Sequence, residues 1–410
     1  MSNYPADQIF APADLVREIA DAGHTPFYLY HAEGIRRSIE SLHGLFSWNP
    51  GYQNYFPLRD NLNPHLLRIL LGSNTGVCVT GKDELAYARR CGFFGDALLY
   101  EPSVYDTEAE TLAKENHAIW LINSEAVMPH DLPEKIILRY HPCDLPMPPK
   151  LKQSVIRRKN GFNRQQVLHL AARLHEQGVK QIGLALSISA YSIQPGFWKR
   201  KAAILTKLAS EIHQQTGIRI WCLHIGEGTG LPYHPRVTVP DLEEEAVLLQ
   251  TALLEEYKQD CFPVIMTGVS SQIMEQHGLL ISKVLEQRYI YKTFLVMDAG
   301  ISQYNRPLLK QAYRHVSVLG RNEVENRKLY SLVGSLPDNF DRLVSKGRML
   351  PKVEPGDYCV IHDVGCGGRS MPLLYGLRPV APEFLYEEGT IRQIAPKRTP
   401  QEVLDFLTAW

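Results

Sequence analysis

The chain has 410 residues, more than one hydrophobic core usually supports, so two domains are expected. Lys plus Arg and Asp plus Glu number 44 each, a balance that does not favour nucleic acid or a membrane surface as a partner. No apolar run approaches the roughly 20 residues that span a bilayer, and residues 1–10 lack the basic start and apolar core of a signal peptide. We therefore expect a cytoplasmic protein.

Short β-rich runs alternate with longer helical patterns from about Thr25 onward, which is typical of βαβ units and a parallel sheet. About eight such repeats over some 250 residues favour a closed (β/α)8 barrel of the TIM type over an open doubly wound sheet. The runs that predict strands are FYLY, YQNYFPL, GVCV, ALLYE, AIWLIN, KIILRYHP, QIGLALSIS, IRIWCLHIG and PVIMTG.

The alternation ends after YKTFLVMDAG, and the remaining strand patterns, with turn signals such as EPGD, indicate a mainly β C-terminal domain. We predict a barrel over residues 25–300 and a β domain over 301–410, with segment 1–24 joining the β domain. FYLY is also a candidate to join that domain. The predicted strands are Tyr313 to Leu319, Arg348 to Val353 and Asp357 to His362.

Seven cysteines are scattered along the chain without a CxxC pair, which argues against a disulfide framework and against a zinc cluster. His224, Glu227 and His234 lie close in sequence, but their spacing matches no established ligand pattern. No metal site is predicted.

Eight motifs in chain order resemble the ornithine/diaminopimelate/arginine decarboxylases, which use pyridoxal phosphate on an alanine-racemase-like barrel. The resemblance covers about Thr25 to Val380. It implies a barrel followed by a β domain and head-to-tail dimers, so we expect a homodimer or a heterodimer with an active homologue. The motifs are TPFYLY, YFPLRDNLNPHLLRIL, TGKDELAYARRCGF, IILRYHP, LHIGEGTGLPY, VMDAGISQYNRPLLKQAY, VEPGD and HDVGCGGRSM.

The resemblance implies a lysine, in a motif of the type Tyr-x-Val-Lys-Ala-Asn, that holds the cofactor aldehyde as an imine. Here the matching run is FPLRDN, which places Arg59 at that position. A guanidinium stays protonated and cannot form the imine. Arg59 is instead a candidate for binding a carboxylate or phosphate, or for an ion pair with Asp60 or Glu84. Lys82, which follows the predicted strand GVCV, is the candidate replacement lysine at the barrel mouth.

The other positions that the resemblance assigns to the cofactor also differ. Ser187 replaces the histidine expected to stack on the cofactor ring, and residues 266–271 contain no glutamate to pair with the pyridine nitrogen. In the motif that carries a catalytic cysteine in the resembled family, the cysteine is replaced here and Asp341 is kept. Cys366 lies in the loop where a phosphate-contacting tyrosine is expected. We therefore expect no bound pyridoxal phosphate.

The run Gly226-Glu227-Gly228 keeps two positions of the glycine loop that cradles phosphate in the resembled family. Its backbone N–H groups are suited to an anion, although the Glu227 carboxylate would disfavour one.

Three functions remain open at this point. The first is a catalytically silent homologue that pairs with an active relative or another partner. The second is a repurposed enzyme without pyridoxal phosphate that acts on a small amino-acid-like ligand. The third is an active decarboxylase with a relocated lysine, such as Lys82. Candidate contacts for the second function are Arg59, Ser187, Glu227, Asp341 and Cys366.

Overall fold

The first strand of the computed structural model, β1 (Phe27–His31), joins the sheet that the C-terminal part of the chain forms. It pairs antiparallel with residues 278–281 and parallel with residues 383–386. FYLY therefore belongs to the β domain, as one of the two sequence interpretations proposed. The structure describes residues 9–146, 149–186, 188, 195–228, 230–234, 237–256, 262–310, 313–321 and 326–408.

Eight parallel strands close into a barrel in the described part of the chain, with the last strand pairing with the first. The predicted (β/α)8 architecture is therefore confirmed. The strands are short and largely buried, as expected for parallel strands covered by helices. They are β2 (Gln53–Pro57), β3 (Gly76–Val79), β4 (Leu98–Tyr100), β5 (Ile119–Ile122), β6 (Lys135–Tyr140), β7 (Gln181–Leu186), β8 (Ile220–His224) and β9 (Val264–Thr267).

Local capping explains where several helices begin. The Asn63 side chain accepts a hydrogen bond from the His65 N–H ahead of one helix, and Asp106 accepts from Glu108 N–H ahead of another. The helices are α1 (Ala13–Ile19), α2 (Ala32–Leu45), α3 (Pro64–Gly72), α4 (Lys82–Arg90), α5 (Thr107–Glu115), α6 (Pro149–Ile156), α7 (Arg164–Glu176), α8 (Phe197–Thr216), α9 (Leu242–Glu256), α10 (Arg306–Lys310) and α11 (Pro400–Thr408). Within the described ranges, none of these helices is long and apolar enough to cross a bilayer.

The C-terminal part of the chain is mainly β, as predicted, and its strands form a nine-stranded mixed sheet with β1 in the part that the structure describes. The three predicted strands are present but shorter, and five more accompany them in the described part of the chain. The strands are β10 (Gly278–Tyr289), β11 (Thr293–Met297), β12 (Val316–Val318), β13 (Lys328–Val333), β14 (Arg348–Leu350), β15 (Tyr358–Ile361), β16 (Glu383–Glu387) and β17 (Thr390–Ala395).

Strand pairing divides the chain differently from the predicted boundary at residue 300. β10 and β11 pair within the sheet, so the barrel strands end at Thr267. α1 packs against one face of the sheet, where Val16 and Ala20 share an apolar cluster with Phe27 and Leu279. The sheet therefore includes strands from both the early and the late part of the chain, and Asn61, which follows β2 of the barrel, donates to the Gly365 carbonyl oxygen at 2.9 Å.

Candidate active site

A cavity of about 380 Å³ lies at the barrel mouth. Residues just beyond the C-terminal ends of four barrel strands line it, namely Arg59 after β2, Glu101 after β4, Gly226 after β8 and Gly268 after β9. This is the face on which barrel enzymes carry their chemistry, since the loops that follow the strands converge there. The cavity is therefore the candidate active site.

Arg59 reaches the cavity because β2 ends at Pro57 and a short turn, Leu58–Asp60, carries its side chain into the mouth. Its side chain forms no hydrogen bond or ion pair with any residue that the structure describes. The Glu84 carboxylate instead accepts hydrogen bonds from the backbone N–H of Thr80 at 2.7 Å and from its hydroxyl at 3.0 Å. The ion-pair interpretation of Arg59 is therefore wrong for Glu84 and also for Asp60, and a charged donor remains in the cavity.

Arg139, on β6, forms an ion pair with Glu101 at 2.7 Å on the cavity wall. Both side chains are largely buried, and the Arg139 Nε atom is buried without a partner among the described residues. The neighbouring Cys78 Sγ lies 3.9 Å from a Glu101 carboxylate oxygen, and burial raises the pKa of this thiol to about 12. The thiol is therefore protonated and inert at neutral pH. Our sequence interpretation missed Arg139, although a charged residue within the apolar run KIILRY was a usable signal.

The glycine loop turns at Gly226, whose φ of 76° lies in the left-handed region that favours glycine. Its N–H donates to His224 Nδ1 at 3.1 Å. Burial lowers the pKa of His224 to about 3, so this imidazole is neutral and able to accept. The Gly226 amide is therefore already bonded within the protein. Glu227 lines the cavity, with its carboxylate 3.8 Å from Arg158 Nη2.

Gly228, the other retained glycine, packs behind the cavity and not in its lining. A Cβ atom added at Gly228 would lie 2.9 Å from the Gln272 side chain. Close packing therefore accounts for this glycine without a ligand.

Lys201 on α8 lies behind the glycine loop and has no solvent exposure. Its Nζ donates to the Glu227 carbonyl oxygen at 3.1 Å and lies 4.2 Å from the centre of the Phe197 ring. Burial lowers the pKa of Lys201 to about 7. Our sequence interpretation missed this residue as well. The available signal was its position one helical turn before Leu205 on the apolar face of the helix.

Lys82 does not point into the barrel mouth, so its proposed role as a replacement lysine is wrong. Its Nζ lies 2.6 Å from a Glu108 carboxylate oxygen, and 42% of its side chain is exposed. The chain has already turned away from β3 through Thr80 and Gly81, and Lys82 begins α4 on the outside of the barrel. Lys159, in the loop after α6, is the lysine that lines the cavity within the described residues.

Asp341 and Cys366 are not brought to the cavity lining. Asp341 is buried, and its carboxylate accepts from the backbone N–H groups of Ile301 and Leu336, each at 2.8 Å. It therefore stabilises two loops of the β domain. Cys366 is 1% exposed and lies 3.9 Å from the Ser270 carbonyl oxygen. Ser187 lies outside the described residues.

Two members of the possible metal triad, His224 and Glu227, line the cavity, whereas His234 packs against the Tyr313 ring with 4.5 Å between ring centres. Within the ranges that the structure describes, no three His, Cys, Asp or Glu side chains cluster in a way that could hold a metal ion.

The fold and the cavity define a barrel protein with a C-terminal β domain and a polar site at the ends of the barrel strands. Residues 27–365 match the family model described as pyridoxal-dependent decarboxylase, C-terminal sheet domain. The chain therefore belongs to the pyridoxal-dependent decarboxylase family, as its motifs indicated.

Similar proteins extend over nearly the whole chain. Protein TabA of Pseudomonas amygdali pv. tabaci is 23% identical over 389 residues, which cover 94% of this chain and 91% of TabA. Diaminopimelate decarboxylase of Aquifex aeolicus is 24% identical over 418 residues, covering 98% of this chain and 96% of that enzyme.

Two solved structures show the same fold. The diaminopimelate decarboxylase of Helicobacter pylori complexed with L-lysine superimposes with a TM-score of 0.83 at 20% identity, covering 96% of this chain and 99% of that chain. The corresponding enzyme of M. jannaschii, also in complex with L-lysine, gives a TM-score of 0.84 at 20% identity and covers 95% and 93% of the two chains.

Proposed function

We propose that this chain is a member of the decarboxylase family that does not carry pyridoxal phosphate and does not decarboxylate amino acids with it. The proposal depends on the position of Arg59. This residue lies in the cavity, where the family resemblance implies the imine lysine. An imine requires a primary amine that can lose its proton, and a guanidinium does not do so in proteins.

The remaining cavity wall also supports this proposal. The Gly226 N–H, expected to face a phosphate, is bonded to His224. The Glu227 carboxylate on the same loop would repel a phosphate. Gly268 lines the wall in the segment where the resemblance implies a carboxylate that keeps the pyridine nitrogen protonated. The residues present therefore do not fit the cofactor.

This proposal predicts that purified protein incubated with excess pyridoxal phosphate and then desalted is colourless. Borohydride reduction followed by peptide mass spectrometry is expected to find no phosphopyridoxyl group on any lysine. Arg59→Lys is expected to leave the protein without stoichiometric cofactor, because the other contacts differ as well. The Aquifex aeolicus diaminopimelate decarboxylase treated in parallel provides the positive control. Stoichiometric adduct on the unmodified chain, at Lys159 or at another lysine, would refute the proposal.

Within this proposal, the chain acts as a partner subunit, either with a second copy of itself or with an active relative. Support comes from a run of exposed apolar side chains in the β domain, where Met371, Leu373, Leu374, Tyr375 and Leu377 are each between 37% and 44% exposed. Contiguous apolar surface of this kind often marks an interaction site.

Light scattering during size-exclusion chromatography tests the association directly. The unmodified chain is expected to elute with the mass of a dimer, and Leu374→Glu with the mass of a monomer, because a buried carboxylate at an interface is costly. Leu254→Glu is the matched control, since Leu254 is 59% exposed on α9. A monomeric unmodified chain that also fails to co-elute with an active relative would contradict the partner role.

The charge of the cavity favours a second candidate function, a repurposed enzyme that acts on a small ligand without pyridoxal phosphate. The lining contains five cationic side chains and two carboxylates among the described residues. A cavity that served no ligand would not be expected to gather such an excess of positively charged side chains.

A further inference from the structure

One edge of β10 is open along its last residues. β15 pairs with residues 280–283 of this strand, and the backbone of Val284 bonds to residues 356–357. Beyond Val284, β10 has one strand neighbour among the described residues, its hairpin partner β11. Backbone groups alternate between the two edges of a strand, so those of every second residue in 285–289 lie along the other edge. We call residues 285–289 the open edge.

The open edge and the hairpin tip beyond it are accessible and carry apolar side chains. Leu285 is 48% exposed and Tyr289 is 76% exposed. At the tip, Ile290 and Tyr291 are 71% and 73% exposed. An unpaired strand edge is a template for a further strand, and proteins commonly protect such edges with charges or with a covering segment. At these exposures no other element of the fold covers the open edge, so a strand from another molecule can reach it.

The charges on the open edge neutralise one another. Glu286 and Arg288 lie on one face of β10, because side chains two residues apart along a strand share a face. Arg288 Nε donates to Glu286 Oε1 at 2.8 Å, and Arg288 Nη2 donates to Glu286 Oε2 at 2.6 Å. A lone charge on an edge strand would repel a second copy of the same strand. This edge has no net charge and therefore lacks that protection.

The sequence of the open edge is complementary to itself in one register. Two antiparallel copies of the edge can be related by a two-fold axis at Gln287. Glu286 of each copy then lies opposite Arg288 of the other, and Leu285 lies opposite Tyr289. Registers centred on Glu286 or on Arg288 would instead place like charges opposite one another, which is destabilising in a sheet. The charges therefore select the register centred on Gln287.

We propose that the open edge of β10 pairs with the same edge of a second copy of this chain, so that two β-domain sheets join across a two-fold axis. The occupant is a second copy because the edge supplies both the charge and the counter-charge at positions that face one another. Pairing ends at Val284, whose backbone groups are already bonded. The contact is therefore smaller than a standard interface, and we expect a dissociation constant on the order of 100 µM. It involves residues other than 371–377, so it does not depend on the partner role proposed above.

Sedimentation equilibrium of the purified full chain, from about 5 µM to about 500 µM, tests the proposed contact. The average mass is expected to rise with concentration toward twice its value in dilute solution. Leu374→Glu is expected to show the same rise, from monomer toward dimer, because the open edge is intact in that variant. Failure of the two surfaces is therefore distinguishable. A dilute unmodified chain that is already monomeric would contradict association through residues 371–377, whereas the rise with concentration reports on β10.

Charge reversal locates the contact. Glu286→Arg and Arg288→Glu each place like charges opposite one another and are expected to weaken self-association at least about tenfold. The double variant Glu286→Arg/Arg288→Glu restores opposite charges and is expected to associate within about threefold of the unmodified chain. An equimolar mixture of the two single variants is expected to associate more tightly than either variant alone, since opposite charges then meet. Arg89→Glu is the matched control and is expected to change nothing, because Arg89 pairs with Glu115 on the outside of the barrel with both side chains more than half exposed.

A mass that stays constant with concentration would overturn the proposed contact, as would a mixture of the two single variants that associates no better than either alone. Self-association that survives both charge reversals would place the contact elsewhere on the chain and overturn its assignment to β10. Constant mass together with binding of the chain to vesicles that contain phosphatidylserine would assign the exposed hairpin tip to a lipid surface instead.

Discussion

Replacement of Arg314 by methionine is expected to lower the free energy of unfolding by about 3–5 kcal/mol, because it leaves a carboxylate buried without its main partner. Arg314 Nη2 lies 2.7 Å from Glu275 Oε1, and the two side chains are 1% and 0% exposed. Arg314 Nε also donates to the Tyr304 hydroxyl at 2.6 Å, and the Tyr233 hydroxyl donates to the same carboxylate at 2.6 Å. The network joins the segment after the last barrel strand to the β domain.

Urea unfolding, followed by far-UV circular dichroism, measures this loss. Arg288→Met is the matched control, because Arg288 pairs with Glu286 at 2.6 Å on β10 but with both side chains more than half exposed. Solvent screening makes such exposed pairs weak, so the control is expected to lose much less stability. Combined replacement of both buried partners, Arg314→Met with Glu275→Leu, should recover only part of the loss, since Arg306, whose Nη2 lies 3.7 Å from Glu275 Oε1, then loses its carboxylate. Equal effects of Arg314→Met and Arg288→Met would contradict this account.

Lys201 is expected to make the stability of the protein rise with pH in the alkaline range. Burial lowers its pKa in the folded state to about 7, whereas an unfolded lysine titrates near pH ~10.4. Between these values the unfolded chain binds more protons than the folded chain, so the free energy of unfolding increases with pH. Below pH ~7 the amine is charged in both states and the full cost of burying the charge remains. Above pH ~10 it is neutral in both states and the cost disappears.

The difference in unfolding free energy between the unmodified chain and Lys201→Met isolates this effect. It is expected to shift by up to roughly 4 kcal/mol in favour of the unmodified chain between pH ~7 and pH ~10. Unfolding curves at four pH values across that window measure the shift. Lys207→Met on the same helix is the control, because Lys207 is exposed and water hydrates its ammonium in both states. Parallel pH profiles for the two variants would show that Lys201 is not buried as a neutral amine.

The buried Lys201 also bears on the candidate site. Lys201 holds the carbonyl oxygen of Glu227, and the next residue back, Gly226, bonds to His224. The glycine loop is therefore fixed by His224, which lines the cavity as a neutral imidazole, and by the buried Lys201 behind the loop. The cations that remain for a ligand come from other loops.

The fold was predictable because its signals are local and repeated. Alternating strand and helix patterns indicated the barrel, and the change of pattern after residue 300 indicated the β domain. The exact division was not predictable, since β10 and β11 read as a continuation of the barrel until strand pairing places them in the sheet. Capping residues such as Asn63 and Asp106 fixed helix starts that the sequence could indicate directly.

The candidate site was predictable only where a residue directly follows a barrel strand. Arg59, Gly226 and Glu227 do so, and they line the cavity. Lys82 lies as far beyond β3 as Glu227 lies beyond β8, but Lys82 begins α4 and pairs with Glu108 outside the barrel. Asp341 and Cys366 come from the β domain, where close packing around them leaves both side chains buried.

The sequence by itself determined the family, the barrel with its β domain, and the presence of a guanidinium where an imine-forming amine was expected, because each depends on residue type and local order. Only the tertiary structure decided which charges meet. Arg59 and the cations after β6 are nearly a hundred residues apart in the chain, and the fold brings them to one cavity. Burial, which depends on every surrounding element, likewise decided that His224 and Lys201 carry strongly lowered pKa values.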